Sequence, residues 1–329
     1  MLSFILVPLY TTKGVLSSVA EYGKISIIFS WFVIFNVILA YGMETAFFRY
    51  FNKEDDKNKV IGTSAIALII SSFGFVVLAF LFKDNIAAIT DIKTEYISLV
   101  IWILLLDALV IIPFAWLRAK GKSMMYAIVK ILNVVMNLGL NVFFLLYLKK
   151  LALENAFMES IYIPNFEINY IFISNLVASA VTLLIMLYFY FKIKYIFDSE
   201  LFKRMMRYAI PVLIAGIAFS INETFDRILL DYLLPPDVAE TKVGMYSACY
   251  KIAVFMTLFA TAFRLGIEPY FFSHAKTENP QKNYARILEF FVAFGSIVVL
   301  TVVVFADILK PYIVRDPAYW EAMWIVPFI

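Results

Sequence analysis

The sequence predicts an all-α protein that is integral to a membrane. Hydrophobic residues make up 63% of its 329 residues and charged residues only 16%, whereas soluble domains carry about 25% charged residues. The apolar residues run in long continuous segments. This pattern indicates spanning helices and not an outer-membrane barrel, whose strands are roughly ten residues long with strict alternation. Short charged loops such as NKEDDKNK (52–59) separate the segments.

Ten segments are apolar enough to be spanning helices, wholly or in part, since a full span needs about 20 mainly apolar residues. The opening segment lacks a basic region and a small-residue cleavage site, so we interpret it as the end of a spanning helix and not as a signal peptide. In chain order the segments lie near 1–12, 24–48, 60–82, 96–117, 124–148, 168–191, 206–232, 243–272, 287–308 and 319–329, the first and last being partial.

The basic residues of the loops predict the orientation. The loops after the second, fourth, sixth and eighth segments contain fifteen Lys and Arg residues, and those after the odd-numbered segments contain eight. Loops rich in Lys and Arg stay in the cytoplasm. We therefore expect a cytoplasmic N-terminus.

A weak internal repeat relates the two halves of the chain. GMETAFF (42–48) returns as GIEPYFF (266–272), and Gly23, before the second segment, matches Gly244, before the eighth. The offset corresponds to six segments, so the two copies run parallel, as in transporters whose halves are related by an axis along the membrane normal. By this register the first half has six helices, the second half is incomplete, and both ends of the chain are expected to be cut.

Composition also excludes several classes of function. A single cysteine, Cys249, rules out a disulfide within the chain, and with a single histidine, His274, it rules out a metal site built from those residues. The net charge of +3 is too small to indicate nucleic acid binding. We find no nucleotide-binding glycine loop and no nucleophile elbow, so we do not expect an enzyme.

Several ionisable residues fall inside the apolar segments. A charge at the centre of a bilayer costs about 2.5–3.5 kcal/mol even on an insertion scale, so such residues face protein or water. Glu223 and Arg227 are four residues apart, as are Arg227 and Asp231, so pairs on one helical face are predicted. These charges either lock helices together or line an aqueous cavity, and the sequence leaves both interpretations open.

The fifth segment carries a polar stripe on one helical face. Lys130, Asn133, Asn137 and Asn141 are spaced by three, four and four residues. Asparagines in a span can hydrogen-bond a neighbouring helix, or they can line a path and bind sugar hydroxyls. With a lysine at one end of the stripe, we favour the cavity.

The chain resembles the Wzx-type flippases of polysaccharide biosynthesis, which belong to the multidrug/oligosaccharidyl-lipid/polysaccharide (MOP) exporter superfamily. No catalytic motif carries this resemblance, which rests on the order and spacing of short segments along the whole chain. These are FILVPLYTT (4–12), EYGKIS (21–26), YGMETAFFRY (41–50), IPVLI (210–214), NETFDRILLDYL (222–233), VGMYSACYKIA (243–253) and AFRLGIEPYFF (262–272).

The resemblance implies a MATE-like fold of two six-helix lobes beside a central cavity, with 12–14 helices in full-length members. Here the lobes would be 1–197 and 198–329. The implied activity is transfer of undecaprenyl-diphosphate-linked oligosaccharide across the bacterial inner membrane by alternating access. The implied partners are this lipid, the membrane and glycan assembly enzymes, with no nucleic acid. No cofactor is expected beyond an H⁺ or Na⁺ gradient.

The cavity residues expected from the charges and this resemblance form three groups. The cations for the diphosphate are Arg49, Arg118, Lys130, Arg227, Lys251 and Arg264; the polar residues are Asn133, Asn137, Asn141 and Asn222; and the candidate coupling carboxylates are Glu44, Asp107, Glu223, Asp226 and Glu268.

Three alternatives remain open at the level of sequence. A drug or cation antiporter of the same fold is expected to have an acidic, aromatic cavity, and a flippase for a lipid-linked peptidoglycan precursor is equally compatible. A membrane glycan polymerase or ligase is expected to have a large external loop with acid and base groups. The longest external loop, about 149–167, offers only Glu154, Glu159 and Glu167.

Overall fold

The computed structural model describes residues 2–274 and 280–328, and the side chains of residues 2, 3 and 264–283 lie outside this description. The described residues fold almost entirely into helices. In chain order these are α1 (Leu2–Tyr10), α2 (Val19–Ala40), α3 (Met43–Lys53), α4 (Lys57–Leu81), α5 (Lys83–Thr90), α6 (Thr94–Leu109), α7 (Ile111–Ala119), α8 (Ser123–Val142), a π-helical turn (Phe143–Tyr147), α9 (Leu148–Ala152), α10 (Ala156–Ile161), α11 (Glu167–Lys192), α12 (Ser199–Leu233), α13 (Pro236–His274), α14 (Pro280–Val304), α15 (Ala306–Ile313) and a 3₁₀ helix (Pro317–Phe328).

Eight continuous or interrupted helices among the described residues are long and apolar enough to cross a membrane. They coincide with the eight inner segments of the ten predicted from the sequence. The two outer segments do not qualify, since α1 has nine residues and the last segment forms a 3₁₀ helix instead of the expected α-helix. Two short helices, α5 and α10, occupy regions that the sequence analysis assigned to loops.

Two compact units can be distinguished. One contains Met1–Gly23 and Leu234–Ile329, and the other contains Lys24–Leu233. These bounds differ from the two expected lobes, because α12 groups with the helices that precede it. The assignment of the lobes to 1–197 and 198–329 stays a prediction.

In the first unit, α2 and α13 approach closely at the two glycines that the repeat matched. A Cβ atom on Gly23 would lie 1.9 Å from the carbonyl oxygen of Glu240, and one on Gly244 would lie 2.3 Å from that of Val19. Gly23 thus faces the carbonyl of the residue four positions before Gly244, and Gly244 faces the carbonyl of the residue four positions before Gly23. Only glycine permits backbones to pack this closely, and the reciprocal arrangement fits two related halves.

In the second unit, a break in the second spanning segment brings α3 against α12. The chain turns at Tyr41 and Gly42, which have φ angles of 31° and 70°. A Cβ atom on Gly42 would lie 2.5 Å from the carbonyl oxygen of Ala209 on α12, so the break needs glycine for both its φ and its space. Behind it, buried apolar residues of α3, α4, α7, α11 and α12 form one core.

Candidate functional site

A break between α6 and α7 positions the candidate site in the second unit. Pro113 follows the break and has no N–H to donate to the carbonyl of Leu109, four residues earlier. The hydroxyl of Tyr190 on α11 donates to that carbonyl instead, at 2.5 Å. The break divides one spanning segment, so that Asp107 lies before it in α6 and Arg118 lies near the end of α7.

Arg118 joins three helices. Its guanidinium forms an ion pair with Glu44 of α3. It also lies over two aromatic rings, 4.8 Å from the ring centroid of Phe48 and 5.1 Å from that of Tyr126. Its Nε is buried and has no hydrogen-bond partner among the described residues. The side chains of Arg118 and Glu44 are 36% and 42% exposed, so the pair is within reach of solvent.

Lys130 on α8 interacts electrostatically with both Arg118 and Asp107. Its Nζ lies 4.4 Å from the ring centroid of Phe114 on α7. Asp107 accepts a hydrogen bond of 2.7 Å from the hydroxyl of Ser179 on α11. Arg118 and Glu44 are therefore in contact, and Lys130 is near enough to be attracted by Asp107 and repelled by Arg118, although the residues are far apart in sequence.

The asparagine stripe continues from Lys130 along α8. The amide of Asn133 donates to the hydroxyl of Thr182 on α11 at 2.9 Å. The amide of Asn141 donates to the side-chain oxygen of Asn137 at 2.9 Å, and these two residues are only 1% and 4% exposed. The stripe thus packs within the protein, and only its Lys130 end is exposed. A role of these amides in binding sugar stays a prediction.

Arg227 on α12 is held by its own helix. Its guanidinium donates to Asp226 at 3.0 Å and to the backbone carbonyl of Glu223 at 2.8 Å. Helical spacing predicted carboxylate partners at Glu223 and Asp231, and of these Glu223 contributes its backbone carbonyl. The Arg227 side chain is 7% exposed, whereas Asn222 next to this group is exposed.

Two of the remaining candidates contact other residues, and two lie outside the described side chains. Arg49 has its guanidinium 4.2 Å from the ring centroid of Tyr208 and is exposed. Lys251 belongs to the first unit, where its Nζ lies 5.9 Å from the ring centroid of Tyr250. The side chains of Arg264 and Glu268 are outside the described residues.

Sequence reasoning missed five residues that contact the site. The hydroxyls of Ser179 and Thr182 fall three residues apart in a mainly apolar helix, which is a signal that the sequence does contain. Phe48, Phe114 and Tyr126 offered none, because aromatic residues make up 18% of the chain and nothing marks these three. Among the described residues, no group of three or more His, Cys, Asp or Glu is placed to hold a metal ion.

Comparison with known proteins gives a family and a fold. A family model described as "Polysaccharide biosynthesis protein" matches residues 1–275. No curated protein matches the chain.

Solved structures that match are MATE transporters. One is a multidrug resistance MATE family transporter of the MOP superfamily in an inward-facing conformation, with 16% identity, a TM-score of 0.67 and coverage of 99% of this chain and 74% of that chain. Another is the MATE multidrug transporter DinF-BH, solved as a complex, with 15% identity, a TM-score of 0.61 and coverage of 99% and 74%. A third is a MATE protein in complex with MaD3S, with 17% identity, a TM-score of 0.58 and coverage of 99% and 73%. At these identities the likeness concerns the fold, and it confirms the predicted all-α, MATE-like membrane architecture.

Proposed function

The chain belongs to the polysaccharide biosynthesis protein family and has the fold of a multi-pass membrane transporter, and we propose that it is a flippase for undecaprenyl-diphosphate-linked oligosaccharide. The observation that carries this proposal is the meeting of Arg118 and Lys130, both accessible, in one spanning region of the second unit. Such a cargo presents a diphosphate, which cations bind, and sugar hydroxyls, which polar side chains bind. Lys130 is exposed and Asn133, the next residue of the stripe, is half-buried, which supports a site for both parts of the cargo.

The two cations suit a phosphate in different ways. The guanidinium of Arg118 is a planar fork that can bind two phosphate oxygens together, while the Lys130 ammonium acts as a point charge. Arg49 would extend the positive potential along α3. We propose that Arg227, Lys251 and Arg264 contribute at other stages of the transport cycle, with Asn222 beside them.

Transport requires a direction and an energy source. We propose that the protein lies in a bacterial inner membrane with its N-terminus in the cytoplasm, works by alternating access and associates with glycan assembly enzymes. An H⁺ or Na⁺ gradient would drive it through carboxylates drawn from Glu44, Asp107, Glu223, Asp226 and Glu268. Three of these residues, Glu44, Asp107 and Asp226, also lie beside the cations described above.

Leaflet exchange tests the proposal. The protein is reconstituted in liposomes with a labelled undecaprenyl-diphosphate oligosaccharide, and the wild type is compared with Arg118→Gln and Lys130→Gln. Losing one charge-assisted contact is expected to slow exchange about tenfold or more. Lys203→Gln is the matched control, because Lys203 pairs with Glu200 on the exposed start of α12 and should leave the rate unchanged.

Two results would contradict the flippase. One is the absence of exchange by the wild type in liposomes in which the protein is folded. The other is uptake of an organic cation by the wild type that Arg118→Gln and Lys130→Gln leave intact, which would assign the protein to the drug or cation antiporters of the same fold.

A further inference from the structure

Each accessible cation of the candidate site already has a carboxylate close by. Arg118 is paired with Glu44, and Lys130 interacts with Asp107. The four side chains therefore carry no net charge together. An anion that binds here must compete with two carboxylates that belong to the protein.

The Arg118–Glu44 pair is weak enough for a ligand to replace Glu44. Its side chains are 36% and 42% exposed, and exposed ion pairs contribute only about 0–1 kcal/mol to stability. Arg227 is different, since it is almost fully buried and bonded within its own helix. The weak, accessible pair is the one that an incoming ligand can open.

The aromatic rings keep both cations in place when a carboxylate leaves. Arg118 lies between Phe48 and Tyr126, and Lys130 lies over Phe114. A cation near the face of an aromatic ring is stabilised by about 0.5–1 kcal/mol at an exposed site. After the carboxylates are displaced, the guanidinium and the ammonium therefore remain in position for a phosphate.

We propose that Glu44 and Asp107 are resident counter-ions, which the phosphates of the cargo displace from Arg118 and Lys130. This inference rests on the proposed function, because it takes the ligand to be a diphosphate. A diphosphate carries more negative charge than either carboxylate, and Arg118 and Lys130 are near enough to repel each other, so it gains more from the two cations than each carboxylate does. When the cargo leaves, the counter-ions return, which favours release and keeps singly charged anions from occupying the site.

The test measures binding of inorganic pyrophosphate to the purified protein in detergent, by titration calorimetry at low salt. Removal of a counter-ion is expected to tighten binding, by about fivefold to tenfold for Glu44→Gln. Asp107→Asn should act in the same direction, and its amide oxygen can still accept the hydrogen bond from Ser179. The double variant Glu44→Gln/Arg118→Gln should lose the gain.

Glu54→Gln is the matched control. Glu54 directly follows α3 and also pairs with an arginine, Arg204 of α12, at 3.0 Å. Its substitution removes the same charge from the protein and should change pyrophosphate binding less than twofold. A gain equal to that of Glu44→Gln would mean that only the overall charge matters, and it would overturn the proposal.

Unchanged or weaker binding by a folded Glu44→Gln protein would show that the Glu44–Arg118 pair only fastens α3 to α7. If that variant does not fold, Asp107→Asn decides by the same criterion. The proposed function is tested separately. Tighter pyrophosphate binding by Glu44→Gln, without leaflet exchange by the wild type, would support the counter-ion proposal and contradict the flippase function. Leaflet exchange by the wild type, without tighter binding by the variant, would contradict the counter-ion proposal alone.

Discussion

Arg118 and Arg227 show how the same residue type occupies two environments within one unit. Arg227 is almost fully buried and donates to Asp226 and to the carbonyl of Glu223. Arg118 is partly exposed and pairs with Glu44, the carboxylate that the cargo displaces in our proposal. Burial separates the two residues, although both appear in the sequence as charges in apolar segments.

The first prediction concerns the stability that Arg227 provides. Arg227→Ala leaves Asp226 without its guanidinium partner in a half-buried position, and we expect a loss of roughly 1–3 kcal/mol in unfolding free energy. Arg118→Gln should cost less than about 1 kcal/mol, since its pair is accessible to solvent. Thermal unfolding in detergent compares the two variants. Equal losses would contradict the distinction between the two arginines.

The second prediction is a pH dependence at Asp198, in the loop before α12. Its carboxylate accepts a hydrogen bond of 2.9 Å from the N–H of Leu201 and lies 3.7 Å from the ammonium of Lys59. The backbone hydrogen bond, followed by the charge of Lys59, lowers the pKa of Asp198. The stability it adds is therefore fully present above the usual Asp value of about 4 and is lost as the pH falls through the lowered pKa.

Asp198→Asn keeps a capping side chain but removes the charge. We expect the variant to melt below the wild type at pH 7 and the difference to shrink as the pH falls below about 4. Melting curves recorded across that range check this. A difference that is constant with pH would mean that the ionised form of Asp198 plays no part.

At the scale of elements, interruptions of the helices place the candidate site. The break at Tyr41 and Gly42 separates α2 from α3, and the break before Pro113 separates α6 from α7. Glu44 follows the first break, and Asp107 and Arg118 lie on either side of the second. A pair of uninterrupted helices would turn these three side chains in other directions.

The third prediction tests the second break. Tyr190→Phe leaves the carbonyl of Leu109 without its donor, which should cost about 1–2 kcal/mol. Pro113→Ala supplies an N–H four residues after Leu109, so adding it to Tyr190→Phe should restore part of the loss. The coupling is read from a double-mutant cycle on thermal stability.

Tyr195→Phe serves as the control for that cycle, because the Tyr195 hydroxyl donates to the carbonyl of Tyr190 from an exposed position. It should change stability little. Additive effects of Tyr190→Phe and Pro113→Ala would contradict a shared role at Leu109.

The fourth prediction concerns the crossing of α2 and α13. Gly23→Ala and Gly244→Ala each place a methyl group on a carbonyl oxygen of the other helix, and forcing the helices apart should cost about 1–3 kcal/mol. Gly74→Ala in α4 is the control, since its methyl group would meet nothing within 4 Å. There the better helix propensity of alanine should stabilise the protein by up to about 1 kcal/mol. If all three substitutions have the same sign, the crossing is not as close as described.

At the scale of the whole molecule, the chain belongs to the polysaccharide biosynthesis protein family and has the fold of a multi-pass membrane transporter, and the distribution of charge in the loops predicts its orientation. The fifth prediction tests that orientation by cysteine labelling, which this chain allows because its single native cysteine, Cys249, is buried. Asp55 and Glu159 are both exposed and lie in regions expected on opposite sides of the membrane. Asp55→Cys should react with an impermeant maleimide only after the membrane is opened, whereas Glu159→Cys should react in spheroplasts. The reverse pattern would invert the topology.

The class of protein, the eight inner spans and the family all follow from patterns in the amino-acid sequence. Apolar segments of spanning length are local properties of the chain, and the hydrophobic effect acts on each of them almost independently. The glycine match at Gly23 and Gly244 was also visible, since a close crossing constrains residue type. Local patterns failed at the chain ends, where a predicted span forms a 3₁₀ helix.

Which charges come together depends on the packing of the helices. Helical spacing predicted Glu223 and Asp231 as partners of Arg227, whereas its contact with Asp226 depends on side-chain direction and burial. The group of Glu44, Asp107, Arg118 and Lys130 joins residues up to 86 positions apart on four helices, and Ser179 on α11 completes it. The spacing of these residues in the sequence does not predict the group. The side chains come together only because two helices are broken and five helices pack against one another.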